Sequence, residues 1–183
     1  MTSRKQGPWT IKESHRKYRR ELIEVREDEV VKPDGTDGVY AYAMIAGGST
    51  VLAVDADGFA YLAKEFRYAI GRETLEAVGG ASEEGESPLD AARRELKEEL
   101  GIEASEWVEL GRVDPMPSMV DSPSHLFLAR GLQFKEKEQE GSETIKTVKL
   151  HFDEVERMAR EGEITAALTC VAVFRARRYV KNE

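Results

Sequence analysis

The sequence is poor in cysteine and histidine. Cys170 is the single cysteine among 183 residues, so no disulfide can form within the chain. Its position between Thr169 and Val171 predicts a packed thiol and not a catalytic one. The three histidines are scattered without the spacing of metal ligands: His15, His125 and His151. A disulfide scaffold is therefore excluded, and cysteine or histidine catalysis is not expected.

Long apolar runs are also missing. A membrane-spanning helix needs about 18 consecutive apolar residues, and no such stretch occurs. Residues 1–7 are basic and polar, but the apolar segment of a secretory signal does not follow them. We therefore expect a soluble protein of the cytoplasm with no membrane partner.

Basic residues are outnumbered by acidic ones. The chain carries 35 Asp and Glu against 27 Lys and Arg, a formal net charge of -8. Nucleic-acid backbones attract clustered cations and repel acidic surfaces, so we expect no nucleic-acid partner. A small anionic substrate stays compatible with this charge if a metal cation screens it.

The length and the strand pattern predict one main domain with a small N-terminal element. The chain is 40% hydrophobic and can bury a substantial core. We assign residues 1–46 to an N-terminal strand region and residues 47–183 to the main domain. Short strands are expected from Tyr18 to Ile45, where turn residues separate apolar runs at Leu22–Val25, Val30–Val31 and Val39–Ile45. Later strands are expected at Thr50–Asp55, Phe59–Phe66, Thr74–Val78, Trp107–Val113, Ser124–Ala129 and Thr144–Phe152.

The first helical region has clear start and stop signals. Ser87 is a suitable N-cap, Pro88 fits the first helical position, and Gly101 follows the last apolar residue. These signals predict a helix from Pro88 to Leu100.

The second helical region is interrupted. It is expected to begin at Asp153, with Glu156 three residues on as a capping-box partner. It breaks near Gly162 and resumes from about Thr165 to Val180. Strands before, between and after the helices predict a mixed α/β sandwich.

Three glutamates crowd the C-terminal end of the first helix. Glu95 and Glu99 lie four residues apart and project together, next to Glu98. Like charges at this spacing, at the negative end of the helix dipole, are destabilising. A hard cation such as Mg²⁺ or Mn²⁺ would reverse this, because it prefers oxygen ligands. The alternative is a solvated charged face in which Arg94 and Glu98 form an ordinary ion pair.

A longer motif surrounds these glutamates. Gly80 is followed after five residues by Glu86, and after seven more by Arg94-Glu95-Leu96-Lys97-Glu98-Glu99-Leu100-Gly101-Ile102. This segment resembles the Nudix box at every specified position. The match favours the metal-binding interpretation over the solvated face.

The resemblance extends from about Leu22 to Val180 and points to the ADP-ribose and nucleotide-sugar pyrophosphatase branch of the Nudix family. The segments that carry it are Phe66-Arg67-Tyr68, Glu73-Thr74-Leu75-Glu76, Gly79-Gly80 and Pro117, which lies sixteen residues beyond Gly101. The implied fold is the Nudix α/β/α sandwich with a mixed sheet and a small N-terminal antiparallel sheet. The branch also implies a homodimer in which the N-terminal sheet reaches the partner's site.

The same resemblance implies roles for the box residues. Glu95 and Glu99 would be the principal metal ligands, Glu98 would contribute to another metal, and the Gly79 carbonyl can join them. Mg²⁺ is the expected cofactor, with Mn²⁺ as an alternative. Arg94 would orient the carboxylates by pairing with Glu86.

The implied reaction is metal-dependent hydrolysis of the diphosphate bond in ADP-ribose or a related nucleoside diphosphate sugar. The products would be a nucleoside monophosphate and a sugar phosphate. Another nucleotide sugar or a dinucleotide is the alternative substrate, because Gly79-Gly80 departs from the commoner Pro-Ala-Gly approach to the box. A nucleotide sensor without turnover is the alternative of a different class.

The general base stays open. Many relatives place a glutamate in the loop after the proline, where this chain has Ser122. A neutral serine cannot replace a carboxylate base. We rank Glu98 first as the base, followed by Glu143 and Asp121.

Four residues form the predicted substrate-binding set. Arg67 can clamp phosphate oxygens with two directional hydrogen bonds, and its alternative role is a structural salt bridge. Trp9 offers a surface on which a base could stack, and its alternative is core packing. Glu76 and Pro117 complete the set through the branch resemblance.

Overall fold

The computed structural model describes residues 3–135 and 145–180. The chain divides into two compact units, Met1–Ala46 with Asp114–Ser122 and Gly47–Val113 with Pro123–Glu183. The described strands are β1 (Arg4–Gln6), β2 (Trp9–Arg20), β3 (Ile23–Val31), β4 (Asp37–Ile45), β5 (Gly48–Val54), β6 (Phe59–Arg67), β7 (Arg72–Glu76), β8 (Val78–Ala81), β9 (Ile102–Val113), β10 (Val120–Asp121), β11 (Ser124–Phe134) and β12 (Lys146–His151). The α-helices are α1 (Pro88–Leu100), α2 (Phe152–Glu161) and α3 (Ala167–Ala176), and short 3₁₀ turns lie at Tyr68–Ile70 and Arg177–Tyr179.

The first unit is a sheet in the order β1-β2-β3-β4-β10. Its pairs are antiparallel except for β10, which runs parallel to β4. The prediction that extended structure starts at Tyr18 was wrong, because β1 and most of β2 precede it. Strand β2 has charged residues on both faces and lacks an apolar alternation. Cross-strand ion pairs such as Lys17 with Glu27, at 2.7 Å, accompany the pairing instead.

The predicted break between Val25 and Val30 is also absent from the described structure. Strand β3 runs without interruption from Ile23 to Val31. Four consecutive charged residues, Arg26 to Glu29, lie inside it and interrupt the apolar pattern from which separate strands were predicted. Both neighbouring strands pair with them, so the sheet decides the conformation.

The second unit is built on a mixed sheet in the order β12-β6-β5-β11-β9, with β7 beside β6 and β8 beside β5. Strands β5 and β11 are parallel and the other pairs are antiparallel. Buried strand β5 alternates between two cores. Val51 and Ala53 pack with α1, and Leu52 and Val54 pack with α2 and α3. This arrangement confirms the predicted α/β/α sandwich.

Helix α1 has the predicted bounds. The Ser87 hydroxyl accepts a hydrogen bond from the Asp90 amide at 3.2 Å, which satisfies one of the free N–H groups of the first turn. Gly101 ends the helix in a left-handed conformation with φ of 65°, which a glycine adopts without steric cost. The capping residues at its two ends therefore predict the helix that carries the three glutamates.

The start of α2 differs from the prediction. His151 is the N-cap, and its Nδ1 accepts from the Asp153 amide at 3.4 Å. Glu156 is not a capping-box partner. It is buried, at 9% exposure, and pairs with Arg160 and Arg177. The packing of the helices places the Glu156 carboxylate next to the guanidinium groups of these two arginines. The local spacing of residues in the sequence does not reveal this contact.

None of the helices in the described residues is long and apolar enough to span a membrane.

Phe152 lies in the core between the sheet and α3 and is fully buried. We expect Phe152→Ala to lower the free energy of unfolding by about 3–5 kcal/mol, because the substitution leaves a cavity. Phe66→Ala is the matched control, since that ring is 53% exposed. Urea denaturation measures both, and similar losses for the two variants would contradict this core assignment.

Candidate functional site

The three glutamates of α1 are not an ordinary solvated face. Glu99 is buried at 8% exposure, and the Glu95 side chain is 14% exposed. Glu98 is more open, at 39%. Burying carboxylates is costly unless cations or hydrogen-bond donors compensate them. The arrangement therefore requires positive charge close to α1.

Arg94 supplies such a charge. Its Nε and Nη2 donate to the two oxygens of Glu86 at 3.0 and 3.1 Å, which is the pairing expected from the sequence. Nη1 donates to Glu95 at 2.8 Å and to Glu98 at 3.1 Å. Nη2 also reaches the Ala81 carbonyl at 3.0 Å. One guanidinium thus ties three carboxylates to the strand that precedes the helix.

The protonation states follow from these contacts. The hydrogen bond to Glu86 is the largest effect on Arg94, and it raises the pKa of that guanidinium far above its usual range despite burial. The same hydrogen bond lowers the pKa of Glu86. Both groups are therefore charged at neutral pH.

Gly80 makes room for the Glu95 carboxylate. A Cβ at this position would lie 2.1 Å from Glu95 Oε1, far inside van der Waals contact. A Cβ on Gly79 would lie 2.5 Å from the Ser49 carbonyl oxygen of β5. The glycine pair therefore lets β8 approach β5 on one side and the α1 carboxylate on the other.

The donor set suits a hard divalent cation. Carboxylate oxygens are the ligands that Mg²⁺ and Mn²⁺ prefer, and the missing side chain of Gly80 leaves space for Glu95. The three glutamates do not form a group with ligand atoms all within 4.8 Å of one another. Glu98, the most exposed of them, is held by Arg94 at 3.1 Å. The chemistry of the residues therefore fits a cation, and ligation by all three glutamates requires their side chains to move closer together.

A second arginine network lies on the hairpin of β6 and β7. Arg67 donates from Nε and Nη2 to Glu76 at 3.1 and 3.0 Å, and its Nη1 is 2.8 Å from Glu65. Burial disfavours the charge on Arg67, but Glu76, Glu65 and the field of Glu99 outweigh it and raise its pKa. The salt bridge left open by the sequence is therefore present.

The other predicted residues lie in the first unit or outside the described residues. Trp9 is half-buried on β2 and meets Tyr40 edge to face, with ring centroids 5.5 Å apart. Pro117 is exposed in the turn before β10, and Asp121 is exposed on β10. Glu143 lies outside the described residues.

The structure brings together a histidine and two glutamates that sequence spacing did not connect. Ligand atoms of Glu13, His15 and Glu29 lie within 4.8 Å of one another on β2 and β3. His15 Nε2 is 3.6 Å from Glu29 and 3.9 Å from Glu13. The register of β2 with β3 creates this group.

Sequence reasoning also missed Glu65 and Thr74 beside Arg67. Thr74 is buried and donates to Glu76. The only local signal is two-residue spacing, which puts residues 65 and 67 on one face of β6 and residues 74 and 76 on one face of β7. Strand register then places Glu65 directly opposite Thr74.

The NUDIX domain model matches residues 45–168, so the chain belongs to the Nudix family. Together with its relatives, this makes it a Nudix pyrophosphohydrolase that resembles the ADP-ribose pyrophosphatase branch. It is 27% identical over 154 residues to the ADP-ribose pyrophosphatase of Bacillus subtilis, covering 83% of each chain. It is 31% identical over 115 residues to the ADP-ribose pyrophosphatase of Mycobacterium tuberculosis, covering 61% of this chain and 55% of that one.

A solved structure has the same fold. The crystal structure of an ADP compounds hydrolase superposes with a TM-score of 0.82 at 24% identity, covering 97% of this chain and 96% of the other. At this identity the likeness supports the fold.

Gly80→Ala tests the contact with Glu95. The added methyl group meets the end of a flexible side chain, so we expect Glu95 to move and the fold to persist. The hydrolytic rate should fall by about tenfold to a hundredfold, while the free energy of unfolding changes by less than about 1 kcal/mol.

Gly48→Ala provides the contrast, because its Cβ would lie 2.1 Å from the Gly80 carbonyl oxygen. Backbone cannot yield as a side chain does, so this variant should lose about 1–3 kcal/mol of stability. Steady-state rates and urea denaturation measure both variants. An unchanged rate in Gly80→Ala would refute the importance of the Glu95 position.

Proposed function

We propose that this protein hydrolyses the diphosphate bond of ADP-ribose or a related nucleoside diphosphate sugar. The products would be a nucleoside monophosphate and a sugar phosphate, and the cofactor would be Mg²⁺, with Mn²⁺ as the alternative. The observation that carries the proposal is the set of carboxylates on α1 tied by Arg94. The names of the curated relatives support the substrate class.

The box residues divide into ligands and a positioning residue. Glu95, Glu98, Glu99 and the Gly79 carbonyl would hold the cations. Bound metal would neutralise the diphosphate and lower the pKa of the attacking water. Arg94 would act without touching substrate, because its hydrogen bonds set where Glu95 and Glu98 point.

Glu98 is our first candidate for the general base. Its side chain is the most exposed of those on α1 that contact Arg94, so it can turn towards a water molecule. Glu143 and Asp121 stay the second and third candidates. The serine at Ser122 cannot take this role.

We propose that four residues contribute to substrate binding. Arg67 would bind diphosphate oxygens through the guanidinium, which is 40% exposed. Glu76 would support it through their paired hydrogen bonds. Trp9 would contact the base, and Pro117 would shape the loop before β10. The cytoplasmic location and the lack of a nucleic-acid partner stay predictions from composition.

The hydrolase proposal is tested with a panel of ADP-ribose, nucleotide sugars, dinucleotides and nucleoside triphosphates, incubated with Mg²⁺ or Mn²⁺. Mass spectrometry of the products should show a nucleoside monophosphate and a sugar phosphate, and a chelator should stop the reaction. Glu99→Gln should lower the rate by about two orders of magnitude or more, because it removes a buried ligand charge.

Glu103→Gln is the matched control, since Glu103 is a half-exposed glutamate just beyond α1 that lies 3.9 Å from Lys135. Its rate should equal that of the wild type. If the panel binds but no member is cleaved, the hydrolase proposal fails and the nucleotide-sensor alternative replaces it.

We propose further that two copies associate through the first unit. That unit exposes apolar side chains which a second copy would cover: Tyr18 at 52%, Leu22 at 58%, Val39 at 60% and Ile45 at 38%. Removing such area from water contributes about 25 cal/mol per Å². The face is thus suited to a homodimer.

Light scattering at micromolar concentration should give twice the 20.5 kDa mass of one chain. Val39→Glu should shift the population to monomer, because it places a charge in the covered face. Lys5→Glu, an exposed change on β1 away from β4, is the control. A monomer mass for the wild type would rule out the dimer.

A further inference from the structure

Arg67 has two carboxylate partners that hold it in different ways. Glu76 accepts two directional hydrogen bonds, from Nε at 3.1 Å and from Nη2 at 3.0 Å. Glu65 faces the remaining nitrogen, with its Oε2 2.8 Å from Nη1. The two-point geometry fixes the plane of the guanidinium, whereas the contact at Nη1 adds charge neutralisation.

Glu76 is itself held in place. The hydroxyl of Thr74 donates to Glu76 Oε1, the same oxygen that accepts from Arg67 Nε. Thr74 is 7% exposed, so water does not readily replace this hydrogen bond. Burial raises the pKa of Glu76, but the donors Arg67 and Thr74 outweigh it and keep that pKa below its usual value. Thr74, Glu76 and Arg67 therefore form a chain that starts in the protein interior.

Glu65 adds a second negative charge to a cation that Glu76 already neutralises. Register places Glu65 opposite Thr74 and two residues before Arg67 on the same face of β6. The field of Glu99 also acts on Arg67. A diphosphate that approaches Arg67 therefore meets excess negative charge, and Glu65 contributes to it.

We propose that Glu65 is a carboxylate which the substrate's diphosphate displaces from Nη1 of Arg67, whereas Thr74 and Glu76 are positioning residues that keep the guanidinium in place. The inference rests on the proposed function, in which Arg67 binds the diphosphate. Its consequence is that two carboxylates on one arginine have opposite effects on substrate affinity. Glu65 weakens binding and Glu76 strengthens it.

Glu65→Gln tests the displacement. The substitution keeps the size of the side chain and removes the competing charge, so the KM for ADP-ribose should fall by about threefold to tenfold. The kcat should stay within about twofold, because Glu65 does not touch the reacting atoms. Glu73→Gln is the matched control: Glu73 is a neighbouring acid on β7 that pairs with Lys64 at 2.8 Å and not with Arg67. Its KM should be unchanged.

Thr74→Val tests the positioning chain. It removes the donor to Glu76 at nearly constant volume, so the KM should rise by about threefold to tenfold. Thr74→Ser restores a hydroxyl and should return the KM to the wild-type value. Thermal unfolding of each variant separates this effect from loss of fold, because a merely structural role would not produce opposite KM shifts in Glu65→Gln and Thr74→Val.

The outcomes separate this inference from the proposed function. If the wild type cleaves ADP-ribose and Glu65→Gln has an equal or higher KM, Glu65 is not displaced and the inference is overturned. If the wild type cleaves nothing, the proposed function fails, and calorimetry with the methylene analogue of ADP-ribose measures the same variants as dissociation constants. Tighter binding by Glu65→Gln then supports the inference, and unchanged or weaker binding overturns it.

Discussion

The hydrogen bonds of Arg94 are the interaction on which the candidate site depends. Glu95 and Glu99 are mostly buried at the end of a helix whose dipole disfavours negative charge. Without a cation nearby, such carboxylates would take up protons or turn outward. Arg94 binds Glu95 and Glu98 while Glu86 and the Ala81 carbonyl hold its other side. The carboxylates of Glu95 and Glu98 are thereby oriented before any metal or substrate arrives.

The glycines of β5 and β8 leave the room that these side chains occupy. A Cβ on Gly48 would collide with the Gly80 carbonyl, and a Cβ on Gly80 would collide with Glu95. The backbone of β8 can therefore lie between β5 and the carboxylate face of α1. The buried side chains of β5 alternate between the two faces of the sheet, packing with α1 on one side and with α2 and α3 on the other. Core packing and site geometry thus use the same strand.

Arg67 resembles Arg94 in its carboxylate contacts but is more exposed to solvent. Each arginine binds more than one carboxylate, and each has a raised pKa. The Arg94 side chain is 25% exposed, which suits a group that orients its neighbours. Arg67 is 40% exposed, so an anion from solution can reach it. Exposure therefore separates the positioning arginine from the one proposed to bind substrate.

Local signals in the sequence determined α1, from the Ser87 cap to Gly101, and the spacing of the Nudix box from Gly80 to Ile102. They failed at β2, where charges on both faces conceal a strand that only its neighbours stabilise. The contact of Gly80 with Glu95, the meeting of His15 with Glu29, and the position of Glu65 on Arg67 were decided by tertiary structure alone. Helix caps and helical spacing act within a few residues, so a sequence displays them directly. Strand register and the approach of a helix to a sheet depend on packing between distant segments, which no local pattern encodes.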